Sequence, residues 1–493
     1  MLALDHSTLS EQVKKKGIFV SPLMDKLGDA ISLSSWSAER LPEYIWLALI
    51  LDENGRTEGM AKCIAILREI MVYCPEIIDA KMSTILKTSK TTQETIFEII
   101  GKHVDKMILS PLTLVVDEKI SQSFFCFFYS PLFSVRERIE KLQTVTKKYY
   151  GQASNEATDL RYLALVPHIL SKKLVLPKDG PEHKALLSYA ATDHSNEVMR
   201  IYRPTIRSIE NIFSEIPDTV KRDAFVDLFW NKMRALTDCV LHAIVYEKNE
   251  TKMNYQDFIE KTKEALNYLN NENKERAVTD DAFVVLTGTL AYALKTFDEV
   301  ISHNLANALT GRQSTRIIIE VYLMMKYLSK TEKSKPMIWS QYKAYGIGKY
   351  KLVLLKMREG MGNSVNHVNK AMLDLIVNES KSEEFTEIDL KYFDKITIRD
   401  KAIEVDEKEL YDIAYDYDSS FAHGLWGAVR ESSMLCSDNV FYNFCPFSDA
   451  TLKQNLPDVT LDCFTYLLKL ICFVNDRYAF PEWYNKYLEG LNK

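Results

Sequence analysis

"YDYDSSFAHGLWGAVRE", residues 415–431, sets one histidine among the smallest residues of an otherwise aromatic stretch. Histidine is the side chain that exchanges a proton near neutral pH, so His423 is a candidate general acid or base. Read as one helix over 406–435, the segment puts Tyr411, Tyr415, Asp418, Ala422, Trp426 and Val429 on a broad stripe, with Ser419, His423 and Arg430 beside it. The small residues Ser419, Ser420, Ala422, Gly424, Gly427 and Ala428 would let another backbone or a ligand come close. In that reading Asp418 and Ser419 support the histidine. The plainer reading is a hydrogen-bonded core histidine.

The second candidate is "GRQSTRIIIEVYLMMKYL", residues 311–328. Spacing of four aligns Arg312, Arg316 and Glu320 on one helical stripe, and Glu320 stands alone among apolar neighbours. A carboxylate in such company must be paired or its pKa rises. Arg316 is the obvious partner. The stripe is then either a buried clasp between helices or an anion-binding site, with Arg312 and Arg316 holding a phosphate, Glu320 orienting the arginine and His423 moving the proton.

Weaker candidates are Arg200, Arg203 and Arg207, roughly on one face beside Tyr202 and interrupted by Pro204, and His367 in a polar segment. No HExxH or His/Asp cluster suggests a metal, and no GxSxG or Cys/His signature suggests a covalent hydrolase. "GIGKYK" at 346–351 lacks the loop length and hydroxyl of a P-loop. No cofactor is implied.

The elements that must position these residues are helical. Only 16 Gly and 14 Pro punctuate 493 residues, and apolar residues recur at helical spacing in "RLPEYIWLALIL", "GMAKCIAILREIMVYC" and "DAFVDLFWNKMRALTDCVLHAIV". The expectation is an all-α chain of two domains: an N-terminal helical domain over 1–245, a polar connection over 246–280, and a C-terminal helical bundle over 281–493 carrying the candidate site. "KITIRDKAIEV", 395–405, is a candidate small hairpin inserted in the second domain.

The net charge of −6 argues against a surface coated in basic residues for nucleic acid. Charge is nevertheless segregated. Lys326 to Arg358 holds nine basic residues against Glu332 alone, and Asp374 to Asp418 holds fifteen acids against six bases. These are either solvated faces that compensate each other or a local basic site for RNA or a nucleotide that the acidic segment shields. The eight cysteines form no C-x-x-C pair and mostly sit in apolar runs, which fits a reducing cytoplasm. The N-terminus lacks a signal-peptide core, and the longest apolar runs fall far short of the roughly 18 residues of a membrane span. Soluble partners are expected: RNA or nucleotide, a protein partner, or a second copy.

The helix "RQSTRIIIEVYLMMKYL" followed about a hundred residues later by "YDYDSSFAHGLWGAV" resembles an uncharacterised bacterial family of all-helical domains marked by Arg-x-x-x-Glu and Ser-x-x-x-His helices. Here those are Arg316 to Glu320 and Ser419 to His423. "SSWSAERLPEYIWLALI" and "HSNEVMRIYRPTIRSIE" are similar to the leading region of larger proteins carrying such a domain. The pattern is also loosely similar to the HEPN superfamily, which implies metal-independent RNA cleavage in bacterial defence or toxin systems. That superfamily places an arginine four to six residues before its histidine. Positions 417–419 hold none, so Arg312 or Arg316 would have to supply it. Two readings follow: an RNA- or nucleotide-handling effector, or a non-enzymatic helical scaffold in which the same residues form a buried clasp.

Overall fold

The computed structural model describes residues 8–15, 17–21, 25, 34–172, 174, 180–214, 224–249, 253–360, 365–379, 381–389, 393–442 and 446–491. The protein is all-α, with helices forming 69% of it and only a few short strands. By contacts the chain divides into two units. The first holds residues 1–242 with 436–446, and the second 243–435 with 447–493.

The first unit is built on α1 (Leu41–Tyr73), α2 (Val135–Tyr150), α3 (Asn155–Leu170), α4 (Met199–Ser214) and α5 (Ala224–Ala235). Trp36, Trp46, Phe97, Phe229 and Trp230 fill its core. Such rings bury large areas, and Trp36, Trp46 and Trp230 each also donate the indole N–H to a backbone carbonyl. The Arg200, Arg203, Arg207 stripe lies on α4, which runs through Pro204 unbroken. Arg203 and Arg207 turn inward: Arg203 donates to the His194 carbonyl, and Arg207 to the Ala153 carbonyl and the Thr158 hydroxyl. Arg200 is exposed.

The second unit packs α6 (Tyr255–Glu272), α7 (Asp281–Ser302), α8 (Leu309–Thr331), α9 (Ile338–Arg358), α10 (Ile398–Glu404), α11 (Asp416–Ala422), α12 (Trp426–Ser433), α13 (Thr460–Arg477) and α14 (Glu482–Leu491). Its core joins Phe258, Leu286, Phe297, Ile318, Leu323, Leu467 and Tyr484. Within the polar stretch 246–280, α6 buries Tyr255, Phe258, Ile259 and Leu269 in this core. Its buried positions recur at helical spacing beneath a charged outer face, which is what makes the stretch read as polar.

The hairpin expected over 395–405 is not formed. Thr397 caps a helix instead, its hydroxyl accepting from the Asp400 N–H at 3.1 Å, and α10 follows. The cap ends the apparent alternation, and Lys401 is then drawn fully inside against Asp394, at 2.8 Å.

The segregated charges meet within the second unit. On α9, Lys343 pairs with Asp281, Lys349 donates to the Asp389 carbonyl, and Lys351 donates to the carbonyls of Glu383 and Thr386. Arg358 bridges Asp374 and Glu383. The acidic segment thus meets the basic helix, but among the described residues only Arg358 pairs with its carboxylates, while Lys349 and Lys351 reach its backbone carbonyls.

Among the described residues no helix is long and apolar enough to cross a membrane, and no group of three or more His, Cys, Asp or Glu is placed to hold a metal ion. No described cysteine is paired; Cys63, Cys74 and Cys463 are buried, whereas Cys126 and Cys472 are exposed.

Candidate functional site

α8 carries the arginine stripe against the core. Its face Ile318, Ile319, Tyr322, Met325 and Leu328 is buried, and its start is held close by Gly311. A Cβ there would sit 2.3 Å from the Leu305 carbonyl oxygen, so only glycine fits. Arg312, Arg316 and Glu320 follow one turn apart.

The facing segment is not the single helix expected over 406–435. A short turn at Lys408–Leu410 opens into a π turn at Tyr411–Tyr415, then α11, a break at residues 423–425, and α12. The break has a cause. Gly424 adopts φ 60°, and the N–H of Leu425 reaches back to the Ser420 carbonyl at 3.0 Å, closing the helix end. His423 is therefore the capping residue just past the end of a helix, not the middle of one.

The π turn, which holds one extra residue, stacks the rings of Tyr411 and Tyr415 with centroids 4.9 Å apart. It also delivers the Tyr415 hydroxyl to α8. Arg316 Nη2 donates to that hydroxyl at 2.7 Å, and the hydroxyl donates to Glu320 Oε2 at 3.1 Å. Arg316 Nη1 lies 3.0 Å from the same carboxylate oxygen, and the guanidinium sits 4.8 Å from the Tyr415 ring centre. Arginine, glutamate and tyrosine thus close a three-membered ring of polar contacts. It is half-open: the side chains of Arg316 and Glu320 are 23% and 32% exposed. Burial, together with the negative Glu320, raises the Tyr415 pKa.

One turn earlier the setting differs. Arg312 is sealed between the rings of Tyr417 and Phe421 and donates to the Pro457 carbonyl at 3.1 Å. Its Nη1 is 3.8 Å from Asp418 Oδ1, too long for a hydrogen bond, and that oxygen has no hydrogen-bond partner. Burial pushes the Asp418 carboxyl up to about 7; Asp462 and Glu431 add to this and Arg312 opposes it. Asp462 is raised as well, first by its own burial. Below them the buried Cys463 thiol, 3.2 Å from the Thr315 hydroxyl, is raised to about 12 by burial.

His423 does not join either group. It is exposed, and its ring makes no hydrogen bond or ion pair with Arg312, Arg316, Glu320 or any other described residue. Ser419 is half-buried and contributes its carbonyl to the His423 N–H at 3.1 Å. Nothing comes within 4 Å of a Cβ built on Gly424 or Gly427, so these glycines open no approach for a neighbouring backbone. His367 is exposed.

Sequence reasoning missed Tyr415 as the third member of the arginine cluster and Asp462 as the second carboxyl near Arg312. Tyr415 stood in the quoted stretch, four residues before Ser419. The π turn that aims its hydroxyl has no mark in the residue pattern.

Residues 283–441 match the model of a family of unknown function (DUF5677), a stretch that contains every candidate residue from Arg312 to His423. No curated protein and no solved structure matches the chain.

Proposed function

We propose that this chain is a helical interaction protein in which the arginine stripe of α8 clasps the 408–433 segment, without catalysis. The observation that carries this reading is the separation of roles. Arg312 and Asp418 are sealed, Arg316, Glu320 and Tyr415 contact one another, and the exposed imidazole of His423 stands apart from both groups. A general base must come within hydrogen-bond reach of its substrate and its partners. The surface beside the clasp suits a protein partner, because Ile413, Leu425 and Trp426 are exposed at 65%, 56% and 64%.

One observation favours a second reading, an RNA- or nucleotide-binding effector in bacterial defence, as the loose HEPN resemblance implies. The Arg316 side chain is part-exposed beside a tyrosine pair, and guanidinium with stacked aromatics suits phosphate and base together.

The test uses folded full-length protein, wild type and His423→Ala, with a short RNA and with ATP at low salt. The clasp reading expects intact RNA and equal behaviour of the two proteins. RNA cleavage by wild type that His423→Ala abolishes would overturn it in favour of the effector.

A further inference from the structure

We propose that the first unit holds a binding site for a small amphipathic carboxylate, an apolar body with one carboxylate, centred on Arg138. The proposal concerns residues remote in sequence from the clasp and does not depend on it.

The argument begins with a misplaced charge. α2 is capped by Ser134, whose hydroxyl accepts from the Glu137 N–H while Glu137 accepts from the Ser134 N–H at 2.7 Å. The inward face of the helix then runs Arg138, Leu142, Val145, Thr146 and Tyr149. An arginine occupies the first core position, where a leucine would pack. It is 6% exposed.

Its partners do not neutralise it. Nη1 donates to the Thr113 hydroxyl at 3.0 Å, and the guanidinium lies 5.0 Å from the Tyr129 ring centre. Nε has no partner, and no described carboxylate lies within 4 Å. Arginine cannot shed its charge by losing a proton, so a buried guanidinium without a counter-ion is a standing cost to the fold. A ligand carrying that counter-ion removes the cost.

The space for one is present. Arg138 lines a cavity of about 450 Å³, within the range of small-molecule sites. Met107, Ile108, Pro111 and Phe133 supply apolar walls. Four further charged residues line it, and each is already engaged: Lys141 with Asp52 and Glu53 at 3.0 Å, Asp105 with the Met107 N–H, and Glu137 in the helix cap. Glu53, Asp105 and Glu137 are exposed, so water screens them, whereas Arg138 acts in a drier setting. The three acids also set the ligand class. They repel a phosphate dianion more than a single carboxylate, and the walls reward an apolar body.

The experiment is calorimetric titration of the full chain with octanoate and with octanamide, which keeps the body and removes the charge. Octanoate is expected to bind one per chain, at least tenfold more tightly than octanamide. Arg138→Met, which keeps length without charge, is expected to weaken octanoate at least tenfold without lowering the melting temperature. Ile108→Trp, which fills the cavity and leaves Arg138 in place, is expected to block both compounds, and it carries the test if Arg138→Met does not fold. Absence of octanoate binding, equal binding of the amide, or undiminished binding in both folded variants would overturn the proposal.

Discussion

Arg312 and Arg316 lie one turn apart on α8, and the sequence presents them as equivalent members of one stripe. The structure treats them differently. Arg312 is enclosed by two aromatic rings and faces a buried carboxyl 3.8 Å away that it does not hydrogen-bond. Arg316 is part-exposed and makes short contacts to both Glu320 and Tyr415. The better geometry belongs to the wetter pair. Water lowers the value of each contact at Arg316, while the poorly matched pair at Arg312 sits where electrostatics are strong. The sealed end should therefore govern stability, and the half-open end should be nearly dispensable for folding.

The largest effect is expected from Arg312→Ala. Removing one partner of a buried pair leaves the other uncompensated, and the cost should be about 3–5 kcal/mol at pH 8. At pH 5 Asp418 carries its proton, so the cost should shrink. Chemical denaturation at the two pH values checks this; equal losses would mean that Asp418 is not the partner that matters.

Asp418→Asn should act in the opposite direction. The folded-state pKa of Asp418, about 7, lies above its ordinary 3.8, so the folded state binds the proton more tightly than the unfolded one. Stability from this group is fully present below about pH 4 and is lost as pH rises through 7. Asparagine stays neutral throughout. The variant should be more stable than wild type by about 2–4 kcal/mol at pH 8, with the gap narrowing as pH falls below 7 and closing only near pH 4. Arg312 keeps Asp462 nearby as a remaining negative charge. Parallel pH profiles for the two proteins would refute the assignment.

At the half-open end, Glu320→Gln and Tyr415→Phe should each cost about 1 kcal/mol, with a coupling of about 0.5–1 kcal/mol in the double variant. Full burial of Glu320, which its apolar sequence neighbours imply, would make Glu320→Ala cost about 3–5 kcal/mol. The observed exposure moves it into the weaker class. A melt showing that larger loss would place the cluster with Arg312.

How far these differences were legible in the sequence follows from what each depends on. Helix content and the stripe on α8 depend on local spacing, and Arg312, Arg316 and Glu320 do share a face. Which end of the stripe is sealed depends on residues far along the chain. Tyr417, Phe421 and Pro457 close over Arg312, and no local pattern shows that. The phase of the facing segment depends on two interruptions. The π turn at Tyr411–Tyr415 shifts the register by one residue, and Gly424 ends the helix. A continuous 3.6-residue repeat does not run through both, and His423 falls just past the end of α11. Gly424 was visible as a helix terminator but read as a small residue making room. Thr397 with Asp400 was likewise a visible cap inside a segment read as a strand pair.

The smallest effect should come from the histidine that first drew notice, and its neighbour provides the control. His423 is exposed at the end of α11 and lends the fold only its backbone, which any residue could supply. His423→Ala should therefore change stability by no more than about 0.5 kcal/mol, as for other surface positions. Gly424 is different. Its φ of 60° is costly for a residue with a side chain, although nothing crowds the added methyl. Gly424→Ala should cost about 1–2 kcal/mol from backbone strain alone. The pair separates backbone from side chain at one helix end. If His423→Ala melts as low as Gly424→Ala, the imidazole has a partner in solution, and the clasp reading loses the separation on which it rests. If only Gly424→Ala is affected, the histidine is free of any folding duty, and a role for it could lie only in binding or chemistry at the surface.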